Sequence, residues 1–347
     1  MARIAVIAGD GIGPEVMAEA LPLLEWARSR GRNLTWEAFP FGADHYLETG
    51  ETLPDWVFQT LRDSFDAILF GAVGDPRVPD GRHAEEILLR LRRDLELRVN
   101  FRPCHPMLDA LVPLKGRMAA DIHLEVFREN TEGPYCLVGR GEEGWAVDEA
   151  HHSEVAVETL LRVAFERAQS RDCVLTLAHK ANVLKHGHGL WIRVFNALRS
   201  KFPGVKAQAL HADALLCALV QDPRPFGVIA ADNLFGDLIS DLLAAFQGGM
   251  GLAASANVAP HRPFVCRGLF EPVHGSAPNL VGKSEANPCG MILSTALMFR
   301  HLGYEPEAQM VETSVHQALA QGSATKDLGG SLSTQEMGAA IRTKLMS

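Results

Sequence analysis

Short apolar runs alternate with stretches of helical periodicity along this chain, a rhythm that restricts it to α/β architectures built on a largely parallel sheet. Arg3 to Gly9 reads as a strand, Gly9-Asp10-Gly11-Ile12-Gly13 as a turn, and Pro14-Glu15 as a helix start, where the fixed φ of proline suits the first turn. Strands at Leu34 to Phe39 and Asp66 to Ala72 follow, with a helix from Pro54 to Arg62 between them. The glycine turn lacks the G-x-G-x-x-G spacing, and Glu37 lies inside its strand instead of ending it, so a Rossmann dinucleotide fold is not expected.

The rhythm continues with a helix from His83 to Glu96, an extended segment from Leu97 to Pro103 and a strand from Ile122 to Arg128. Ser153 caps a long helix, Glu154 to Ser170, and a strand from Cys173 to Leu177 leads into His179-Lys180. A helix (Gly189 to Lys201), a strand (Lys206 to Leu210) and a helix beginning near Asp213 come next. Phe226 to Ala231 is then a buried strand, and Asp232-Asn233 caps a helix on which Leu234, Leu238, Leu242 and Phe246 recur at helical spacing. After Gly248-Gly249-Met250-Gly251 the chain turns glycine- and alanine-rich, which marks a return to the first domain. Helices are expected at Met291 to His301, Glu307 to Ala320 and Thr334 to Met346. At 347 residues the chain exceeds one ordinary core, so two α/β domains are expected: 1–97 with 249–347, and 98–248.

A net charge of -9, with no basic block beyond Arg90, Arg92 and Arg93, gives no electrostatic case for nucleic acid. No apolar run approaches the roughly 18 residues of a membrane span, and the first residues show no signal-peptide pattern. Six cysteines without a C-x-x-C spacing fit a reducing cytoplasm and argue against a zinc ribbon or a disulfide framework.

Chemistry concentrates on four features. Asp237 and Asp241 lie one helical turn apart, so their carboxylates stand side by side and repel unless a cation lies between them. A lone pair of this kind usually faces water, but Asp232 and Asp213 are near in sequence and the helix is otherwise apolar, which points to a Mg²⁺ or Mn²⁺ site completed by substrate oxygens. Arg92, Arg102 and Arg128 end consecutive elements and together can clamp a polycarboxylate. Lys180 follows a buried strand, where a lysine is either a snorkelling cation or a desolvated base. The stretch from Leu269 to Asn279 is a small-residue loop suited to wrapping a nucleotide, and His186 and His188 read as loop histidines.

Taken in order, Gly9-Asp-Gly-Ile-Gly-Pro-Glu-Val16, Leu91-Arg-Arg93 with Asn100-Phe-Arg-Pro103, Arg128-Glu-Asn-Thr-Glu-Gly-Pro-Tyr135, Lys180-Ala-Asn-Val-Leu184, Asn233 to Asp241 and Phe270 to Pro278 resemble the β-decarboxylating dehydrogenases. The resemblance implies a homodimer of two-domain, non-Rossmann subunits. By position, Asp237 and Asp241 match metal ligands of one subunit and Asp213 the ligand from the other, while Tyr135 and, across the dimer, Lys180 match a catalytic pair that Asp213 assists. Arg92, Arg102 and Arg128 match the substrate clamp. Glu271, His274, Gly275, Ser276, Ala277, Pro278, Asn279 and Leu280, with Asn287, match the loop that holds NAD.

The implied reaction is oxidation of a 2-hydroxy diacid with loss of its β-carboxylate as CO₂. Where isocitrate enzymes place Ser and Asn, this chain has Glu86 and Leu88, and the Leu88-Leu89 pair matches the apolar pocket for 3-isopropylmalate of leucine biosynthesis. Gly71 to Asp80 and Val138-Gly-Arg140 resemble the tartrate and D-malate branch instead, and a non-catalytic binding relative is a further alternative. Asn279 replaces an aspartate usual in NAD-preferring relatives, which weakens repulsion of a 2′-phosphate.

Overall fold

The computed structural model describes residues 1–260, 266 and 268–346. Twelve strands are present among them: β1 (Ala2–Gly9), β2 (Leu34–Phe39), β3 (Ala67–Ala72), β4 (Val99–Cys104), β5 (Leu124–Glu129), β6 (Gly139–Glu142), β7 (Trp145–Asp148), β8 (Leu175–His179), β9 (Ala207–His211), β10 (Val228–Ala231), β11 (Ala254–Val258) and β12 (Gly268–Pro272). Ten of them form one sheet in the order β2-β1-β3-β12-β11-β4-β5-β10-β8-β9. Two parallel sets, β2-β1-β3-β12 and β5-β10-β8-β9, flank it, and antiparallel β11 and β4 join them. This is the α/β fold expected from the strand–helix alternation, with helices covering both faces.

The β3 residues are buried throughout, as are those of β5, because helices cover both sides. Each face of each half has its own apolar cluster, for example Phe165, Trp191 and Phe195 against β8, or Ile87, Leu91 and Phe70 beside β3. Burying one such side chain contributes about 1.5–3 kcal/mol. The helix Thr334–Met346 closes the N-terminal half by packing on the helix Gly13–Ser29. A Cβ at Gly338 would lie 2.0 Å from Glu19 Oε2, and Arg342 pairs with Glu19.

Several expectations need correction. The segment from His83 to Glu96 is not one regular helix: residues 82–94 contain a π-helical turn, Glu85–Leu89, ahead of Arg92. β11 and β12 occupy the stretch read as a glycine- and alanine-rich crossing and a loop, and the exposed hairpin β6–β7 was not foreseen. On the helix Asn233–Phe246 the core face is Gly236, Ile239, Leu243 and Phe246, whereas Leu234 and Leu238 of the expected stripe face outward.

Candidate active site

Arg92, Arg102 and Arg128 are all buried, at 8%, 7% and 2% exposure, although they come from a helix and two different strands. Three guanidiniums leave water only where carboxylates compensate them. Arg128 Nη1 donates to Asp237 Oδ1 at 2.6 Å, Arg102 Nη1 lies 3.1 Å from the same oxygen, and Arg92 Nη2 donates to Glu271 Oε1 at 2.6 Å. The arginines repel one another electrostatically, and burial lowers the pKa of Arg102 and takes that of Arg128 down to about 10, which leaves it charged at neutral pH. Ser240 Oγ accepts from Arg102 at 2.7 Å, a contact with no signal in the sequence. Gly236 gives Arg128 its passage, since a Cβ there would sit 2.6 Å from Arg128 Cγ.

The two carboxylates expected to share a metal have opposite characters. Burial opposes ionisation of Asp237, but Arg128 and Arg102 outweigh it and hold its pKa below the ordinary value. Asp241 is raised, by burial and then by the charge of Asp237, and its nearest cation, Arg102 Nη1, is 3.6 Å away. An under-compensated carboxylate one turn from another is a hard-oxygen donor set suited to a divalent cation. Tyr135 completes the group: its hydroxyl donates to Asp237 Oδ2 at 2.9 Å, its ring lies 5.0 Å from the Arg128 guanidinium, and burial raises its pKa.

Lys180 and Asp213 form a separate pair, Nζ to Oδ1 2.6 Å, with the aspartate side chain 67% exposed. That bond holds the Asp213 pKa below its ordinary value. Among the described residues, no cluster of three metal-binding side chains includes Asp213, Asp237 or Asp241.

His152, His188 and Asp232 do come together, with ligand atoms within 4.8 Å of one another. Reading His188 as a loop histidine is therefore wrong: it lies in the helix Gly187–Arg199 and is 1% exposed. Its Nδ1 accepts from the Lys180 backbone N–H at 3.1 Å, and His152 Nδ1 accepts from Trp191 Nε1–H at 3.2 Å. A metal-bound imidazole ordinarily donates its second N–H. Here both rings accept at Nδ1, so each neutral ring carries its proton on Nε2, and His188 Nε2 lies 3.5 Å from Asp232 Oδ2. Asp232 also caps the helix Asn233–Phe246 by accepting from Phe235 N at 2.9 Å. The trio thus brings the helix capped by Asp232, which carries Asp237 and Asp241, beside the imidazole that accepts from the Lys180 backbone, and His188 Nε2 is left buried without a hydrogen-bond partner.

The loop from His274 to Leu280 lies against the first glycine turn. Ile12 N–H donates to Ser276 O at 2.9 Å, and Gly11, at φ +60°, would place a Cβ 2.0 Å from that oxygen. His274 Nδ1 donates to Gly275 O at 2.9 Å, which leaves Nε2 a buried acceptor without a partner, and an added Cβ at Gly275 meets nothing. An orphaned ring nitrogen beside open, small-residue backbone fits a nucleotide. Asn279 is exposed, Ala277 adopts a left-handed φ of 40°, and Pro278 opens a short 3₁₀ turn that ends at Leu280. Asn287 is buried, donating to Asp327 Oδ2 at 3.1 Å and accepting from Cys289 N–H at 3.0 Å. Glu271, which the resemblance groups with the cofactor loop, accepts from Arg92 Nη2 at 2.6 Å. Leu88 and Leu89 are half-buried in the π-helical turn, a feature often found at functional sites.

Residues 3–341 match the family model described as isocitrate/isopropylmalate dehydrogenase. The 3-isopropylmalate dehydrogenase of Thermobifida fusca is 43% identical over 97% of this chain and 95% of its own length. That of Corynebacterium urealyticum is 45% identical over 90% and 92%. The crystal structure of isocitrate dehydrogenase from Methylococcus capsulatus superposes with a TM-score of 0.90 at 31% identity, covering 100% of both chains. The chain belongs to the isocitrate/isopropylmalate dehydrogenase family and is a dehydrogenase.

Proposed function

We propose that this protein oxidises and decarboxylates 3-isopropylmalate with NAD and a divalent cation, as a homodimer with shared active sites. The observation that carries this reading is charge balance. Arg92, Arg102 and Arg128 face Asp237, Asp241 and Glu271, so the clamp is neutral before anything binds, and Lys180 with Asp213 is neutral too. A dication and a dianion can therefore enter together without leaving net charge buried.

Bound at Asp237 and Asp241 of one subunit and Asp213 of the other, Mg²⁺ or Mn²⁺ supplies Lewis acidity, and nicotinamide held by Glu271, the His274–Leu280 loop and Asn287 supplies the hydride acceptor. The guanidiniums orient the diacid's carboxylates. Lys180 first loses its ammonium proton to solvent beside the exposed Asp213 carboxylate, and as the neutral amine it takes the hydroxyl proton. Tyr135, kept protonated by its raised pKa, gives a proton to C3 after CO₂ departs. Leu88 and Leu89 offer an apolar surface to the isopropyl group. The relatives named above act on 3-isopropylmalate by name, which supports that substrate over tartrate or D-malate.

Leu234 and Leu238, and Leu137, Val138, Trp145 and Val147 on and beside the β6–β7 hairpin, are exposed apolar side chains, which supports dimerisation. Residues 1–97 and 249–347 form the cofactor lobe and 98–248 the lobe with the metal carboxylates and dimer surface. No helix among the described residues is long and apolar enough to cross a membrane. All six cysteines are free, which supports a reducing, cytoplasmic setting. Reduction of NAD with 3-isopropylmalate, D-malate and tartrate in the presence of Mg²⁺ is the test. The highest kcat/KM is expected with 3-isopropylmalate, and a higher value with D-malate or tartrate overturns the assignment.

A further inference from the structure

An unbroken line of buried hydrogen bonds joins Arg92 to Arg102, with one carboxamide at its centre. Arg92 Nη2 donates to Glu271 Oε1 at 2.6 Å, and Asn257 Nδ2 donates to the same oxygen at 2.9 Å. On the other side, Asn257 Oδ1 accepts from Asn100 Nδ2 at 2.9 Å, and Asn100 Oδ1 accepts from Arg102 Nε at 2.8 Å. Asn130 Nδ2 supplies a second bond to Asn257 Oδ1 at 2.9 Å, and Leu269 O takes the second Nδ2 proton at 3.0 Å. Asn257 and Asn100 are both 0% exposed.

Both donors and both lone pairs of the Asn257 amide are thus in use, so its orientation is fixed. A flip would set its NH₂ against the amide hydrogens of Asn100 and Asn130, and its oxygen against Glu271 and Leu269. Sheet register makes the arrangement possible. Asn257 on β11 stands opposite Asn100 on β4 and Leu269 on β12, and Asn100 stands opposite Arg128 on β5. The amide therefore sits in the strand that joins the two parallel sets, between the helix that brings Arg92 and the strands that bring Arg102 and Arg128. By sharing Oε1 of Glu271 with Arg92, it anchors that guanidinium through one nitrogen, while Arg92 Nε stays buried without a partner.

We propose that Asn257 is the positioning residue of the arginine clamp: its carboxamide sets how Arg92 and Arg102 stand relative to each other and so fits the pair to a dicarboxylate. This rests on the proposed reading of those arginines as the substrate's carboxylate ligands. Asn257 touches no reacting atom; it acts through Glu271 and Asn100.

The test uses the full-length dimer with Asn257→Leu, which removes all four bonds, and Asn257→Asp, which keeps the acceptor face and loses donation to both Glu271 and Leu269. KM and kcat are measured for 3-isopropylmalate and for NAD, beside the thermal midpoint. Phe195→Leu, in the core against β8, is the control that softens the fold without touching the network. Both Asn257 variants are expected to raise the diacid KM about tenfold or more while the NAD KM stays within about threefold, and the control is expected to lower the midpoint with the diacid KM unchanged. If the wild type turns over the diacid and the variants keep its KM, the proposal is overturned while the functional reading stands. A control that shifts KM equally, or variants none of which fold, assigns the amide a purely structural role and overturns it as well. A wild type inactive on every diacid overturns the reading and the proposal together.

Discussion

The Tyr135 hydroxyl donates to Asp237 Oδ2, so the residue proposed to protonate carbon is already bonded to one proposed to hold the metal. Lys180 lies elsewhere, on Asp213. Tyr135→Phe is therefore expected to retain part of the oxidative step and to slow decarboxylation by about 10²-fold, the usual span of a general acid. Lys180→Met is expected to depress oxidation itself. Separate assays of hydride transfer and of CO₂ release check the contrast; equal loss of both partial reactions in the tyrosine variant contradicts the assignment.

Sharing of sites between subunits can be tested by complementation. Lys180→Met and Asp241→Asn homodimers are each expected to be nearly inactive. In a mixed dimer one site receives both damaged residues and the other receives neither. Random reassociation of equal amounts should then recover about a quarter of wild-type activity. No recovery, with mixed dimers verified by mass, rules out a Lys180 that works across the interface.

Asp241, if it holds the metal as proposed, links metal binding to stability. Its pKa is raised, so without metal its ionisation destabilises the fold: the neutral form is present below the ordinary carboxylate value, and that stability is lost as pH rises through the raised value. Asp237 is lowered and acts in the opposite sense, its stabilisation being lost as pH falls through its lowered value. Asp241→Asn is accordingly expected to raise the thermal midpoint in EDTA at pH 7, to have no such effect at a pH below the ordinary carboxylate value, and to increase the Mg²⁺ needed for half-maximal rate. Thermal melts in EDTA at both pH values, with Mg²⁺ titrations of activity, provide the check.

Asn279 is exposed on the proposed cofactor loop and carries no charge to repel a 2′-phosphate. Asn279→Asp is expected to lower kcat/KM with NADP about tenfold while leaving that with NAD nearly unchanged. Steady-state rates with both cofactors decide it.

Much of the fold was legible because the buried parallel strands are plain apolar runs. Leu34–Phe39, Glu154–Ser170 and Thr334–Met346 fall at the boundaries that their caps and periodicity indicate. β11 and β12 were obscure because Ser255, Asn257 and Glu271 occupy buried strand positions, where polar residues break the apolar signal and serve the hydrogen-bond network instead. The β6–β7 hairpin has no buried face within the subunit, so it lacks the alternation that betrays a strand. The arginines and aspartates of the clamp could be named from spacing and resemblance, but not the amides between them, because only the register of β11 against β4 and β12 brings those together. Leu234 and Leu238 misled for a related reason: their apolar spacing lies on a face of the helix that the fold leaves exposed.

The closure of the last helix on the first has a consequence for biogenesis. Glu19 meets its partner Arg342 only after more than three hundred further residues have been polymerised, and β12 must also be inserted between β3 and β11. The lobe translated first is therefore the lobe completed last. A polypeptide that stops before Arg342 already holds every strand of the sheet, but it leaves the buried Glu19 carboxylate without that cation and the helix Gly13–Ser29 without its cover.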